Sequence, residues 1–399
     1  MNKKLLAVAV AGALAAPGVA LAQSSVTISG VFKASMQQYK IGNAVAARAG
    51  GNTSQGLLHD DSSRIIFNMV EDLGGGLQAI GQADWRIVMD AHTNSNIAAA
   101  GTTSGNPNDN VGGNTHVGLR SKQWGRLIFG QQDLHYFGRE SDLTVKNDLQ
   151  SDSISLLAYV GGAGVPAGGI PIAGATRSRN VVMYTTPNWG GFSAILAYSF
   201  NPTAQELDIS STRRRGRAWN LAPTFEARNF TIGYSYWSQK ADLGVPGGVV
   251  AGSAASTFSD QRGDRLFGSY RWGGFRIGAA WDKSKVKDGV TGIVAANRTA
   301  WSIPLEYTWG PHWIGGHFTK ARDDKATAVQ DGARMWALGY NYSLSKRTSL
   351  GVTYASIRND EFATYTPFTS NGALGGGTSH TAQAGEDPRF WSMTIRHAF

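Results

Sequence analysis

The chain has 399 residues, 37 Lys and Arg against 28 Asp and Glu, a formal net charge of +9 and a mean hydropathy of −0.22. It contains no cysteine, which excludes disulfides, thiolate–metal sites and cysteine nucleophiles. Beyond the N-terminus no stretch approaches the roughly 18 apolar residues of a spanning helix, which excludes a helical membrane bundle but not a membrane barrel, whose strands need only about ten alternating residues.

The chain opens on "MNKKLLAVAVAGALAAPGVALAQ". Lys3 and Lys4 precede an apolar run from Leu5 to about Ala16, and a small-residue Ala-Leu-Ala ends at Ala22. This is the three-part layout of a secretory signal peptide. Residues 1–22 are therefore expected to be cleaved, leaving 23–399 as one domain. Loss of the two lysines takes the formal charge from +9 to +7.

Period-two alternation dominates from there on. It predicts strands at 26–38, 63–71, 77–89, 114–120, 125–132, 179–186, 191–199 and 216–225. Eight more follow at 230–238, 264–270, 275–283, 299–308, 313–320, 334–342, 348–356 and 390–399. Tight turns such as "EDLGGGL" (71–77), "NWGGF" (188–192) and "WGPHW" (309–313) join some of them. Long polar or Gly/Ala/Ser-rich segments join the others, at 39–62, 90–113, 133–178, 200–215, 240–262, 284–298, 321–333 and 357–388.

Sixteen strands with short and long connections in alternation predict an all-β fold, a 16-stranded antiparallel transmembrane β-barrel with short periplasmic turns and long extracellular loops. A secreted sandwich or propeller would need a bulky apolar inner face. Here the face opposite the aromatic one carries Gly, Ser, Thr, Asn and charged residues, which suits a wet lumen better than a dry core. Trp124, Trp189, Phe192, Trp272, Phe275, Trp309 and Trp313 crowd the turn ends, as an interfacial girdle does.

Chemistry-bearing patterns are sparse. The eight histidines are scattered and form no HExxH, and "GAGVPA" (162–167) sits in a loop with no helix after it. No catalytic residue, cofactor or metal site is predicted. The run "STRRRGRAW" (211–219) would suggest nucleic acid in another context, but the export signal and barrel pattern exclude it. Parity sends Arg214 inward and Arg213, Arg215 and Arg217 outward, either as a solvated loop base or as a rim meeting lipopolysaccharide phosphates.

Five segments resemble the trimeric general porins of β-proteobacteria, the neisserial and Burkholderia-type group. They are "SVTISGVFKAS", "SSRIIFNMVEDLGGGLQAIGQAD", "WGRLIFGQQD", "SRNVVMYTTPNWGGFSAILAYSF" and the terminal "IRHAF". The resemblance implies a homotrimer of outer-membrane barrels that pass small hydrophilic solutes by passive diffusion. It also implies an inward-folded constriction loop after strand 5, at about 133–178, and a terminal aromatic, Phe399, read as an outer-membrane assembly signal.

That loop begins "DLHYFGRESDLTVKNDLQSD", net acidic in a basic protein. Asp133, Glu140, Asp142 and Asp148 are its expected contribution to the pore eyelet. Strand parity turns Arg64, Arg86, Arg126 and Arg179 inward as the facing basic wall, together with Asp84, His116, Arg120, Arg265 and Arg276. Arginine stays protonated and can hand an anion along a ladder of donors, so the expected preference is for anions. A channel specific for organic acids or sugars is the alternative reading, and an adhesin or enzyme barrel a more distant one. The predicted aromatics fall on the lipid face, which argues against a sugar slide.

Overall fold

The computed structural model describes residues 24–45, 53–61, 63–87, 89, 112–135, 154–157, 159–160, 170–171, 177–202, 216–241, 259–369, 372–373 and 382–399. The chain enters the barrel wall as β1 (Ser25–Gly42), β2 (Ser54–Asp60), β3 (Arg64–Gly74), β4 (Leu77–Arg86), β5 (Thr115–Ser121) and β6 (Gly125–Asp133). A short helix α1 (Ile154–Leu157) and the two-residue strands β7 (Tyr159–Val160) and β8 (Ile170–Pro171) interrupt the wall. It resumes with β9 (Arg177–Thr185), β10 (Phe192–Ser199), β11 (Arg217–Glu226), β12 (Phe230–Lys240), β13 (Ser259–Trp272) and β14 (Phe275–Asp288). Then come β15 (Val294–Trp309), β16 (His312–Ala321), β17 (Ala333–Ser343) and β18 (Thr348–Asn359). After the small hairpin β19 (Phe368–Thr369) and β20 (Gly372–Ala373), β21 (Asp387–Ala398) ends the wall.

Every wall pairing is antiparallel, and β21 pairs with β1 from Val31↔Ala398 to Gly42↔Asp387, so the sheet closes on itself. Closure removes the free edges that would otherwise recruit other chains. The sheet contains 17 strand segments, yet β2 and β3 both pair with β1, one above the other, and together fill one place in the wall. The barrel is thus 16-stranded, with its second strand broken at residues 61–63. The break is held from within: the Asp61 N–H donates to the Lys33 carbonyl at 2.9 Å, and the Lys33 N–H donates to Ser63 Oγ at 3.0 Å.

Alternation sorts the residues as expected. Along β14, Phe275, Ile277, Ala279 and Trp281 are exposed on the outer wall, while Arg276, Gly278, Ala280 and Asp282 are buried. Outward Trp189–Phe192 and Trp272–Phe275 stacks, each at 6.4 Å, mark the turn side. A second outward aromatic row, including Trp336, Tyr354 and Trp391, lies toward the long loops. The "EDLGGGL" turn needs glycine, because Gly74, Gly75 and Gly76 all have positive φ (83°, 62° and 78°).

Several boundaries differ from expectation, mostly on the loop side. β1 runs to Gly42, β13 starts at Ser259, β14 continues to Asp288, β15 starts at Val294 and β21 starts at Asp387. The expected long segment 284–298 is therefore mostly strand. There the outward residues are Lys283, Lys285 and Lys287, a period-two pattern written in charge rather than in apolar residues. The inner face is also less uniformly polar than expected. Trp237, Phe267, Met335 and Ile357 point inward and form one buried apolar cluster with Leu134, Leu156 and Leu157. The constriction-loop segment docks on this patch, and α1 packs against β15, β16 and β17.

Candidate permeation pathway

The inner wall near the loops carries a compact charged cluster. Arg64 opens β3 and Arg86 closes β4, and the two are register partners. Both reach one carboxylate: Asp84 Oδ2 lies 3.0 Å from Arg86 Nη2 and 3.6 Å from Arg64 Nη1. Asp84 and Arg86 are almost wholly buried, whereas the Arg64 side chain keeps 36% of its surface open. Lys33, inward on β1 and also buried, adds a third cation on this wall. Gly113 lies directly over Asp84, where a Cβ would overlap the carboxylate.

The described ends of the constriction loop cross the lumen and are fixed at two walls. His135, at a left-handed φ of 42°, places Nδ1 2.8 Å from Ser235 Oγ on β12. Asn220 Nδ2 on β11 donates to the same hydroxyl at 3.1 Å, and Gly263 on β13 leaves room for the imidazole. Burial, with Arg265 as a second cause, pushes the His135 pKa down to about 3 against a smaller opposing effect of Asp264. Further along, Arg298 Nη2 on β15 donates to the Leu157 carbonyl at 2.6 Å while its Nη1 sits 3.5 Å from Asp282 Oδ1. These anchors are apolar contacts, a neutral imidazole and a backbone carbonyl.

The expected eyelet residues separate into groups. Arg64 and Arg86 come together. Arg126 points inward but pairs in register with Arg120 beside the periplasmic turn, at the far end of β6 from Asp133. Arg179 lies where the register of β9 is interrupted. Asn180 adopts a left-handed φ of 53° and inserts one extra residue into β9, so Ser178 rather than Arg179 pairs with inward Gln132. Arg179 thereby falls within the bulge, beside Asn180 and half-buried. Arg276, also inward, is closed off by Glu306 at 2.6 Å near the turn side. Asp133 ends β6, its N–H donating to Asn114 Oδ1 at 2.8 Å, while Glu140, Asp142 and Asp148 lie outside the described residues. Phe399 lies over the closing seam, bonded through its backbone to Gly30 (3.1 and 3.2 Å) and stacked on Phe32 at 5.9 Å. Lys33 and the break at 61–63 have no distinct sequence signal, because Lys33 is one polar residue among several on an alternating strand and 54–60 reads as loop.

A closed 16-stranded barrel, apolar outside, with a charged inner wall and a loop crossing its bore, is the architecture of an outer-membrane diffusion channel. The profile of the Gram-negative porin family matches residues 7–361, and the chain belongs to that family. It is similar to outer membrane porin protein 32 of Delftia acidovorans, with 28% identity over 408 residues and full coverage of both chains. It is also similar to an outer membrane porin of Bordetella pertussis, at 25% identity over 91% of this chain and 96% of that one. Among solved structures, an anion-selective porin from Comamonas acidovorans matches with a TM-score of 0.71 and 22% identity, covering 94% of this chain and all of that one. A Vibrio cholerae OmpT in trimer form matches at a TM-score of 0.59 and 12% identity, covering 94% and 99%.

Proposed function

We propose that this outer-membrane porin is a passive, anion-preferring diffusion channel that works as a homotrimer and catalyses no reaction. The observation that carries the preference is the inner-wall cluster, in which Arg64 and Arg86 share the single carboxylate of Asp84. A surplus of fixed cations at a narrow, low-dielectric site raises the local anion concentration and repels cations. Arg64, still partly open to the bore, is the residue that presents this field to permeant ions. The net acidic loop start, with Asp133, Glu140, Asp142 and Asp148, supplies the opposite wall of the eyelet in this reading. The Delftia relative and the anion-selective Comamonas structure support it.

The test is a planar bilayer holding the purified full-length mature protein. Long-lived open steps in groups of three are expected, with a reversal potential in a salt gradient that reports anion preference. A cation-preferring reversal potential would sink the selectivity, and single independent steps would sink the trimer. Residues 1–22 are the proposed export signal; N-terminal sequencing of protein taken from outer membranes reads whether the mature chain starts near Gln23.

A further inference from the structure

Residues 112–114, the short stretch that leads into β5, lie across the Arg64–Asp84–Arg86 cluster. Gly112 and Gly113 are both buried. The Gly113 N–H donates to the Asp84 carbonyl at 3.2 Å, and the Asp84 N–H donates to Thr115 Oγ1 at 3.4 Å. A Cβ at Gly113 would overlap the carboxylate carbon of Asp84 and its Oδ2, the oxygen that Arg64 and Arg86 share. Only a residue without a side chain lets the backbone approach a carboxylate this closely. The stretch is held down along its whole length. Gln131 Nε2 on β6 donates to the Gly112 and Gly113 carbonyls at 3.0 and 2.9 Å, and Gln82 Nε2 on β4 donates to the Asn114 carbonyl at 3.1 Å. Asn114 Oδ1 in turn accepts the N–H of Asp133, where the constriction loop begins.

This placement has an electrical consequence. The Asp84 side chain is 2% exposed, while that of Arg64 is 36% exposed. An ion in the bore therefore meets the open guanidinium, and the carboxylate that would oppose it is held back against two cations, under uncharged backbone. A carboxylate swung into the bore would instead attract cations and repel anions at close range. The carbonyls of the covering stretch are screened in the same way. Three in succession could present their negative ends to a cation, as carbonyls do in cation-selective filters. Each one accepts from a glutamine amide instead.

We propose that residues 112–114 are a specificity-determining cover, which holds the Asp84 carboxylate out of the permeation path so that the open Arg64 guanidinium faces the ions. The proposal rests on the reading that ions pass this cluster, but not on which sign they prefer. Four proteins test it by reversal potential in a salt gradient: wild type, Gly113→Ala, Asp84→Asn and the double variant. The added Cβ must displace either the carboxylate or its cover. A carboxylate moved from about 10 Å to about 6 Å from the ion path in water lowers the anion-to-cation permeability ratio roughly two- to threefold, and Gly113→Ala should show that fall. In the Asp84→Asn background the same substitution should leave the ratio unchanged, since no charge remains to be uncovered. Asp60 and Asp61, buried at the β2–β3 break, are the same in all four proteins, so the comparison isolates Asp84. Equal shifts in the two backgrounds would overturn the cover by making Gly113 a matter of pore shape, and so would no shift in either. Labelling with a water-soluble carbodiimide and a neutral amine gives a second reading. Peptide mass spectrometry should find Asp84 unlabelled in wild type and labelled in Gly113→Ala, and equal labelling would count against the cover. Should Gly113→Ala fail to assemble, Gln131→Leu releases two of the three carbonyls without adding bulk at Asp84. It should shift the ratio in the same direction and depend on Asp84 in the same way. A cation-preferring wild type would sink the anion reading yet leave the comparison among the four proteins intact.

Discussion

Asp84 binds two guanidinium groups with one carboxylate, so it lowers the charge that the Arg64–Arg86 pair shows to the bore. Asp84→Asn keeps the shape and removes that charge. A unit charge about 10 Å from a permeant ion in water shifts its energy by about 0.4 kcal/mol, favourably for an anion and unfavourably for a cation, so the permeability ratio should rise about fourfold toward anions. Reversal potentials read this directly, and an unchanged ratio would place Asp84 outside the field of the pathway. His135 sets a pH dependence through the neutral contact with Ser235. Its pKa is lowered from 6.5 to about 3, so the docking it supports is complete above pH 6.5 and is lost as pH falls from there toward 3. Within that window each pH unit costs up to about 1.4 kcal/mol of docking. Current noise should therefore grow below pH 5, and His135→Gln, which can still bond Ser235, should flatten the pH profile. Equal acid-induced noise in both proteins would remove His135 as the cause.

Period-two alternation made the strands readable, because each wall residue must choose between lipid and water. The same rule placed Arg64, Arg86, Arg265 and Arg276 on the inner face correctly. Alternation carries a side but no depth, so it cannot separate Arg126, beside the periplasmic turn, from Arg64 and Arg86 at the other end of the wall. It also fails wherever one residue is inserted. Asn180 supplies such an insertion in β9, and the break at 61–63 supplies another between β2 and β3, in a stretch whose polarity resembles a loop. The last strand offers a separable test of its terminal residue. Phe399→Ala removes the stack on Phe32 but leaves the twelve-residue pairing of β21 with β1 intact. Protein refolded in detergent should conduct normally, while the amount reaching the outer membrane in cells should fall several-fold. A parallel loss in both settings would make Phe399 a structural residue only.

At the scale of the whole molecule, the bore is organised from both directions along the chain. Its walls come from neighbouring strands, whereas the piece that narrows it is tied to strands far away in sequence. The Leu157 carbonyl meets Arg298 across 141 residues, and His135 meets Ser235 across 100. Hairpins can form as soon as their two arms exist, but these ties must wait for β12 and β15, the strands that receive them. Closing contacts of such large separation requires loop entropy to be surrendered before any stabilisation returns, which makes that step slow. The crossing segment must therefore be inside the curling sheet before β21 reaches β1. Assembly resembles a purse drawn shut around its contents: once the seam is made, the lace that holds the opening cannot be threaded from outside.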